Sequence, residues 1–103
     1  MTKRNNRVIC ADGFTMSVQA HQGAYCLPRH DGAEKYHEVE VGFPSQEESL
    51  LMEYAEDPST PTETVYAWVP ANTVTLVIAK HGGIISGELP AGIPFLEAAA
   101  SEV

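Results

Sequence analysis

Apolar and polar positions along this chain repeat with two periods, and the changes between them mark its elements. From Arg7 to Ala20 the sequence Arg-Val-Ile-Cys-Ala-Asp-Gly-Phe-Thr-Met-Ser-Val-Gln-Ala reads as a β-hairpin, because Asp12-Gly13 suits a two-residue type I′ turn. That turn sets Ala11 opposite Phe14, Ile9 opposite Met16 and Arg7 opposite Val18. Ile9, Ala11, Phe14, Met16 and Val18 then share an apolar face, with Cys10 beside Thr15 and Ser17 on the other. His37 to Phe43 alternates as a half-exposed strand, with Val39, Val41 and Phe43 on one side and Glu38 and Glu40 on the other. Val65-Tyr-Ala-Trp-Val69 alternates without a polar face, as a strand interior to a sheet does, and places Tyr66 and Trp68 together.

The period then lengthens. Thr73, Val74, Thr75, Val77 and Ile78 are β-branched and would suit a strand, but the surrounding signals predict a helix over 71–81. Pro70 ends the strand, Asn72 is placed to cap, and Val74, Val77, Ile78 and His81 form one stripe. Gly82-Gly83 supplies the left-handed ending, with Lys80 and His81 at the negative end of the helix dipole. Ser45-Gln-Glu-Glu48 has capping-box spacing for a helix through Leu50, Leu51 and Tyr54. A strand over 50–54 paired with 64–69 is favoured, since its length matches and the polar loop Glu56 to Glu63 connects the two. Residues 21–32 form a long connection, and loops of that length often carry function. Ile84 and Ile85 are expected to add a short strand, and Phe95 and Leu96 to pin a tail broken by Gly87, Pro90, Gly92 and Pro94.

These elements predict an α+β fold: an antiparallel sheet of four to five strands with one principal helix packed on one face. Residues 1–6 read as a disordered N-terminus, 7–85 as a single α+β domain, and 86–103 as a C-terminal tail whose last residues, 97–103, fray. One helix covers one face of a sheet. The face holding Tyr66 and Trp68 is therefore expected to be closed by the tail, through Phe95 and Leu96, or by a second protein chain, as a homodimer seam or a partner site.

Charge narrows the partners more than the fold. Fourteen acidic residues against six Lys and Arg give a formal charge of −8, which argues against direct binding to nucleic acid phosphates. Ten of those acids lie between Asp31 and Glu63, where Lys35 is the single Lys or Arg, so a basic partner is a consequence of the field. The apolar run after the basic start is too short for an export signal, and no stretch spans a membrane; the expected location is the cytoplasm, with both cysteines as free thiols.

The candidate chemistry is sparse. Cys10, Cys26, His30 and His37 offer zinc-type ligands but lack a knuckle that would preorganise a pair. Cys26 or Cys10 beside His21, His30 or Arg29 could make a thiol nucleophile, although plain structural thiols account for both. Neither set has the spacing of a site, so no metal, cofactor or catalytic residue is assigned. Glu38 and Glu40, about 7 Å apart on one strand face, match the spacing of successive phosphates. Tyr66 and Trp68 supply aromatic burial or a partner site, and Tyr25 and Arg29 sit in the long connection. The binding candidates are thus Tyr66, Trp68, Glu38, Glu40, Tyr25 and Arg29.

The segments Cys10-Ala-Asp-Gly-Phe-Thr-Met-Ser-Val-Gln-Ala20, Tyr25-Cys26-x-Pro28-Arg29, Val39-Glu-Val-Gly-Phe-Pro-Ser45 and Val65-Tyr-Ala-Trp-Val-Pro70, with Lys80-His-Gly-Gly83, resemble a group of small uncharacterised proteins found in bacteriophages and prophages. The resemblance implies a phage-borne accessory protein in a bacterial host. The expected function is non-enzymatic: binding a host or defence protein, with an anti-CRISPR-like inhibitor as one form. The alternatives are a small enzyme or metal-binding domain using the Cys26 to His37 region, and a homo-oligomeric structural protein of the phage.

Overall fold

The computed structural model describes residues 4–99. Five strands, β1 (Val8–Cys10), β2 (Thr15–Gln19), β3 (Glu38–Gly42), β4 (Val65–Pro70) and β5 (Ile84–Ser86), form one antiparallel sheet in the order β4-β3-β2-β1-β5. One helix, α1 (Ala71–Lys80), packs against it, which makes the fold α+β.

The inner face of the sheet follows from the pleat. Cross-strand partners point the same way, and the pairs Val8 with Met16, Val18 with Val41, Val39 with Val69 and Val41 with Tyr66 are all apolar and fully buried. Val74, Val77 and Ile78 of α1 and Leu51 of the connection before β4 share this core. The opposite face carries Ile9, Thr15, Ser17, Gln19, Glu38 and Glu40. It is polar and partly open, except where Asn5 covers Gln19 through a hydrogen bond in each direction. Asn5 and Asn6, read from sequence as part of a disordered terminus, are thereby engaged; residues 1–3 and the end of the tail, 100–103, lie outside the described residues.

The hairpin register differs from the expected one. Val8 pairs with Met16 and Ile9 with Thr15, so three residues, Ala11, Asp12 and Gly13, make the loop. The Cys10 amide donates to Phe14 O at 2.8 Å and the Gly13 amide to Cys10 O at 3.0 Å. This is a turn followed by a left-handed residue, Gly13 at φ 95°, where glycine has no steric cost. The one-residue shift puts Cys10 in the core with Phe14, Met16 and Val18, and leaves Ile9 exposed.

The helix runs as predicted, but Asn72 does not cap it. Pro70 carries β4 directly into the first turn, and the Ala71 amide donates to His37 O on the neighbouring chain segment. Residues 45–54 form neither the capping-box helix nor the strand. They fold into turns ending in a single 3₁₀ turn, Met52–Tyr54, with a lone bridge from Ala55 to Tyr66. The cause is Glu48, whose carboxylate accepts the Leu50 amide at 2.8 Å and turns inward, carrying Leu51 into the core.

β5 forms where Ile84 and Ile85 predict a strand. The tail lies along it: the Ile84 amide donates to Leu96 O and the Ala98 amide to Ile84 O. Ile93 and Leu89 hold this segment against the core, whereas Phe95 and Leu96 are exposed. Residues 96–98 thus run at the β5 edge, the Tyr36 amide holds Ala91 O further back in the tail, and Trp68 is left half exposed rather than closed over by Phe95 and Leu96.

Candidate functional site

The continuous alternation read for β4 is broken by a bulge. Val39 pairs with Val69 and Val41 with Tyr66, so two residues, Ala67 and Trp68, stand opposite Glu40. Trp68 takes up the extra length in the left-handed region, at φ 49°. Tyr66 and Val69 both enter the core, and Trp68 turns out to solvent, 48% exposed. Tyr66 and Trp68 therefore do not share a face. Tyr66 is fully buried, its hydroxyl donating to Pro61 O at 2.6 Å to hold the loop before β4.

What Trp68 meets instead is the long connection. The Trp68 amide donates to Tyr25 O at 3.1 Å, and the two rings lie 5.2 Å apart with a tilt of 41°. The Tyr25 amide donates to Glu40 Oε2 at 3.1 Å, so the carboxylate opposite the bulge anchors the backbone of the aromatic partner. Arg29 places its guanidinium carbon 5.6 Å from the Tyr25 ring centroid, within cation–π range. Leu27, half exposed, lies between them in sequence and pairs with Glu38 at the start of β3, followed by a cis Leu27–Pro28 peptide. Tyr25, Arg29, Glu40 and Trp68 are brought together, with Glu38 two residues from Glu40 on the same strand face. Leu27 has no local signal in the sequence that marks it for this surface; a bridge to Glu38 sets its place there.

The connection that presents this cluster is well tied. Tyr36 donates its hydroxyl to His30 O at 2.7 Å and accepts the Ala33 amide, and the Gln22 amide donates to Asp31 Oδ1. Cys26 is buried beneath it, its Sγ 3.3 Å from His21 O and 3.4 Å from Pro28 O. Burial raises the pKa of both Cys26 and Cys10, so neither is held as a thiolate. His21 Nδ1 accepts the Gly23 amide and His30 Nδ1 lies against Asp31 O, so neither Nδ1 is directed at a thiol. Among the described residues no three His, Cys, Asp or Glu side chains are grouped to hold a metal ion, and Cys10, Cys26, His30 and His37 are not assembled.

A second cluster, which the sequence analysis missed, lies at the end of α1. His81 Nδ1 is 2.6 Å from Asp12 Oδ2 and Nε2 is 2.6 Å from Glu48 Oε1, while Lys80 Nζ reaches Glu48 Oε2 at 2.9 Å. The imidazole stacks on Phe14 at 4.0 Å. Burial acts to lower the His81 pKa, but the hydrogen bonds and charges of Asp12 and Glu48 outweigh it and raise the value overall. Burial likewise opposes ionisation of Glu48, and the Leu50 amide, Lys80 and His81 overcome it and lower its pKa. Both imidazole nitrogens are thus engaged by carboxylates, and the ring has no lone pair to act as a base. This acid–imidazolium–acid arrangement joins hairpin loop, helix end and the Glu48 turn; its chemistry is structural. The signals were present as Asp12, Glu48 and His81, but each had a local role, in a turn, a capping box and a helix stripe, that concealed their meeting.

No described helix is long and apolar enough to cross a membrane. The chain matches no protein-family model, no curated protein and no solved structure.

Proposed function

We propose that this protein acts by binding another protein through the surface built from Tyr25, Leu27, Arg29 and Trp68. The observation that carries the reading is the placement of Trp68: the single tryptophan of the chain is half exposed, in a backbone conformation that disfavours any side chain with a Cβ, and braced by Tyr25. Trp and Tyr are among the residues that most often dominate interface energies, and a braced ring loses little freedom on docking. The acidic balance of the chain favours a basic partner. The setting we propose follows the sequence resemblance: a phage or prophage accessory protein in the cytoplasm of its bacterial host, directed at a host or defence protein, an inhibitor being one form.

The test is affinity capture from host extract with wild type, Trp68→Ala and Leu76→Ala, the last changing an exposed helix residue that is not part of the cluster. A specific partner held by wild type and Leu76→Ala but lost with Trp68→Ala is the expected result. A partner insensitive to Trp68, or lost through Leu76, would refute this surface.

A further inference from the structure

We infer that the Tyr25–Trp68 pair is a receptor for an arginine side chain of the partner, and that Arg29 fills that place in the free protein. The inference rests on the binding role proposed for this surface and adds the chemistry of what it takes. Aromatic faces carry negative potential, and the Tyr25 face is already occupied by a guanidinium at 5.6 Å. Arg29 itself is exposed, and beside the ring contact its guanidinium makes no hydrogen bond or ion pair among the described residues. A cation tethered that lightly can be displaced by one supplied with an additional partner.

That additional partner is Glu40. Its Oε2 accepts the Tyr25 amide, while Oε1 accepts no hydrogen bond among the described residues. The carboxylate is partly buried opposite the bulge that turns Trp68 outward, and Glu38 adds a second negative charge two residues away on the same strand face. An incoming guanidinium can stack on an aromatic face and donate to Glu40 Oε1, a combination suited to its planar fork. Glu38 and Glu40 also repel an anionic ligand, and the charge of −8 draws cations toward the whole chain.

Trp68, as the single tryptophan, gives one indole Nε1–H signal in an ¹H–¹⁵N correlation spectrum, which reports directly on this site. N-acetyl-argininamide is titrated into wild type, Arg29→Gln and Glu40→Gln, with N-acetyl-citrullinamide as the uncharged control of the same shape. Glutamine at position 40 keeps an oxygen for the Tyr25 amide, and the backbone spectrum verifies each fold. The indole signal is expected to move with argininamide and not with citrullinamide. Removing the resident cation in Arg29→Gln should tighten binding at least threefold, and Glu40→Gln should weaken it at least threefold. Equal shifts with citrullinamide, or no tightening in Arg29→Gln, overturn the inference and indicate a surface that reads shape or apolar area. If argininamide fails while capture remains Trp68-dependent, protein binding stands and the arginine class is wrong. If argininamide binds as described with no Trp68-dependent partner, the cation site stands and the protein-binding role fails.

Discussion

Trp68 and Phe43 are the two non-glycine residues with positive φ among those described, at 49° and 50°. Left-handed backbone costs an ordinary L-residue about 1–2 kcal/mol. Relief of that strain at the bulge should make Trp68→Gly more stable than Trp68→Ala by about 1 kcal/mol, although glycine loses more chain entropy on folding. Urea denaturation of the two variants measures it; equal midpoints, or a more stable alanine, would mean position 68 is not left-handed. Nothing in Val65-Tyr-Ala-Trp-Val69 announces the bulge, because alternation of apolar residues fits an unbroken strand equally well. Tyr66 and Val69 are three apart, and the pleat can bury both on one face only if a residue between them is left over. Which residue that is depends on β3 and Tyr25, not on the local sequence.

At the scale of elements, the hairpin loop and the helix end are one unit. The Asp12 carboxylate accepts the Phe14 amide through Oδ1 at 2.9 Å and meets His81 through Oδ2, so the three-residue loop is the form that reaches the helix. His81 has a raised folded pKa, so its contribution to stability is whole below its ordinary value near 6.5 and is lost as pH rises through the raised value. Asp12 and Glu48 are lowered from ordinary values of 3.8 and 4.5, so theirs is whole above those values and is lost as pH falls through the depressed ones. The thermal midpoint should therefore peak between about pH 4.5 and 6.5 and fall toward pH 8.5, below the range in which the raised thiols titrate. Differential scanning calorimetry across that range checks it, and the fall on the alkaline side should shrink in Asp12→Asn and vanish in His81→Gln. Glu48→Ala removes one partner of a buried pair and should cost about 3–5 kcal/mol. A loss under 1 kcal/mol would mean that His81 finds another partner or water.

Across the whole molecule, the C-terminal segment is fastened differently from its sequence. Phe95 is its largest apolar residue and Leu96 adjoins it, yet both are exposed while Ile93 is buried, and the Tyr36 amide donates to Ala91 O nearby. Ile93→Ala should cost about 2 kcal/mol or more, and Phe95→Ala less than about 0.5 kcal/mol, read from chemical denaturation. The reverse order would place the anchor at Phe95. Gly83 carries the other fastening: at φ 90°, an added Cβ would lie 2.8 Å from the backbone of Glu97 and Ala98. Gly83→Ala is expected to release the tail from β5, seen as faster amide hydrogen exchange at Ile84 and Ala98 with the β3–β4 amides unchanged. Loss of protection throughout would instead mean that the tail and sheet open together.

The sequence by itself determined what local periodicity and stereochemistry decide. Strands β2, β3 and β4, the helix from Ala71, the turn at Gly13 and the α+β class were all legible, because a pleat repeats every two residues, a helix every 3.6, and glycine tolerates positive φ. Tertiary structure decided the rest. A one-residue choice of loop length moved Cys10 from the outer face to the core, since a register slip reverses every side chain of a strand. Glu48 spoke locally for a cap and was taken by a buried imidazole 33 residues on, where an unpaired carboxylate would be costly. Tyr25, Arg29, Glu40 and Trp68 were each recognisable as candidates, but a surface exists only where a bulge on β4, a carboxylate on β3 and a distant connection meet. That meeting is a contact between segments far apart in the chain, and no local pattern encodes it.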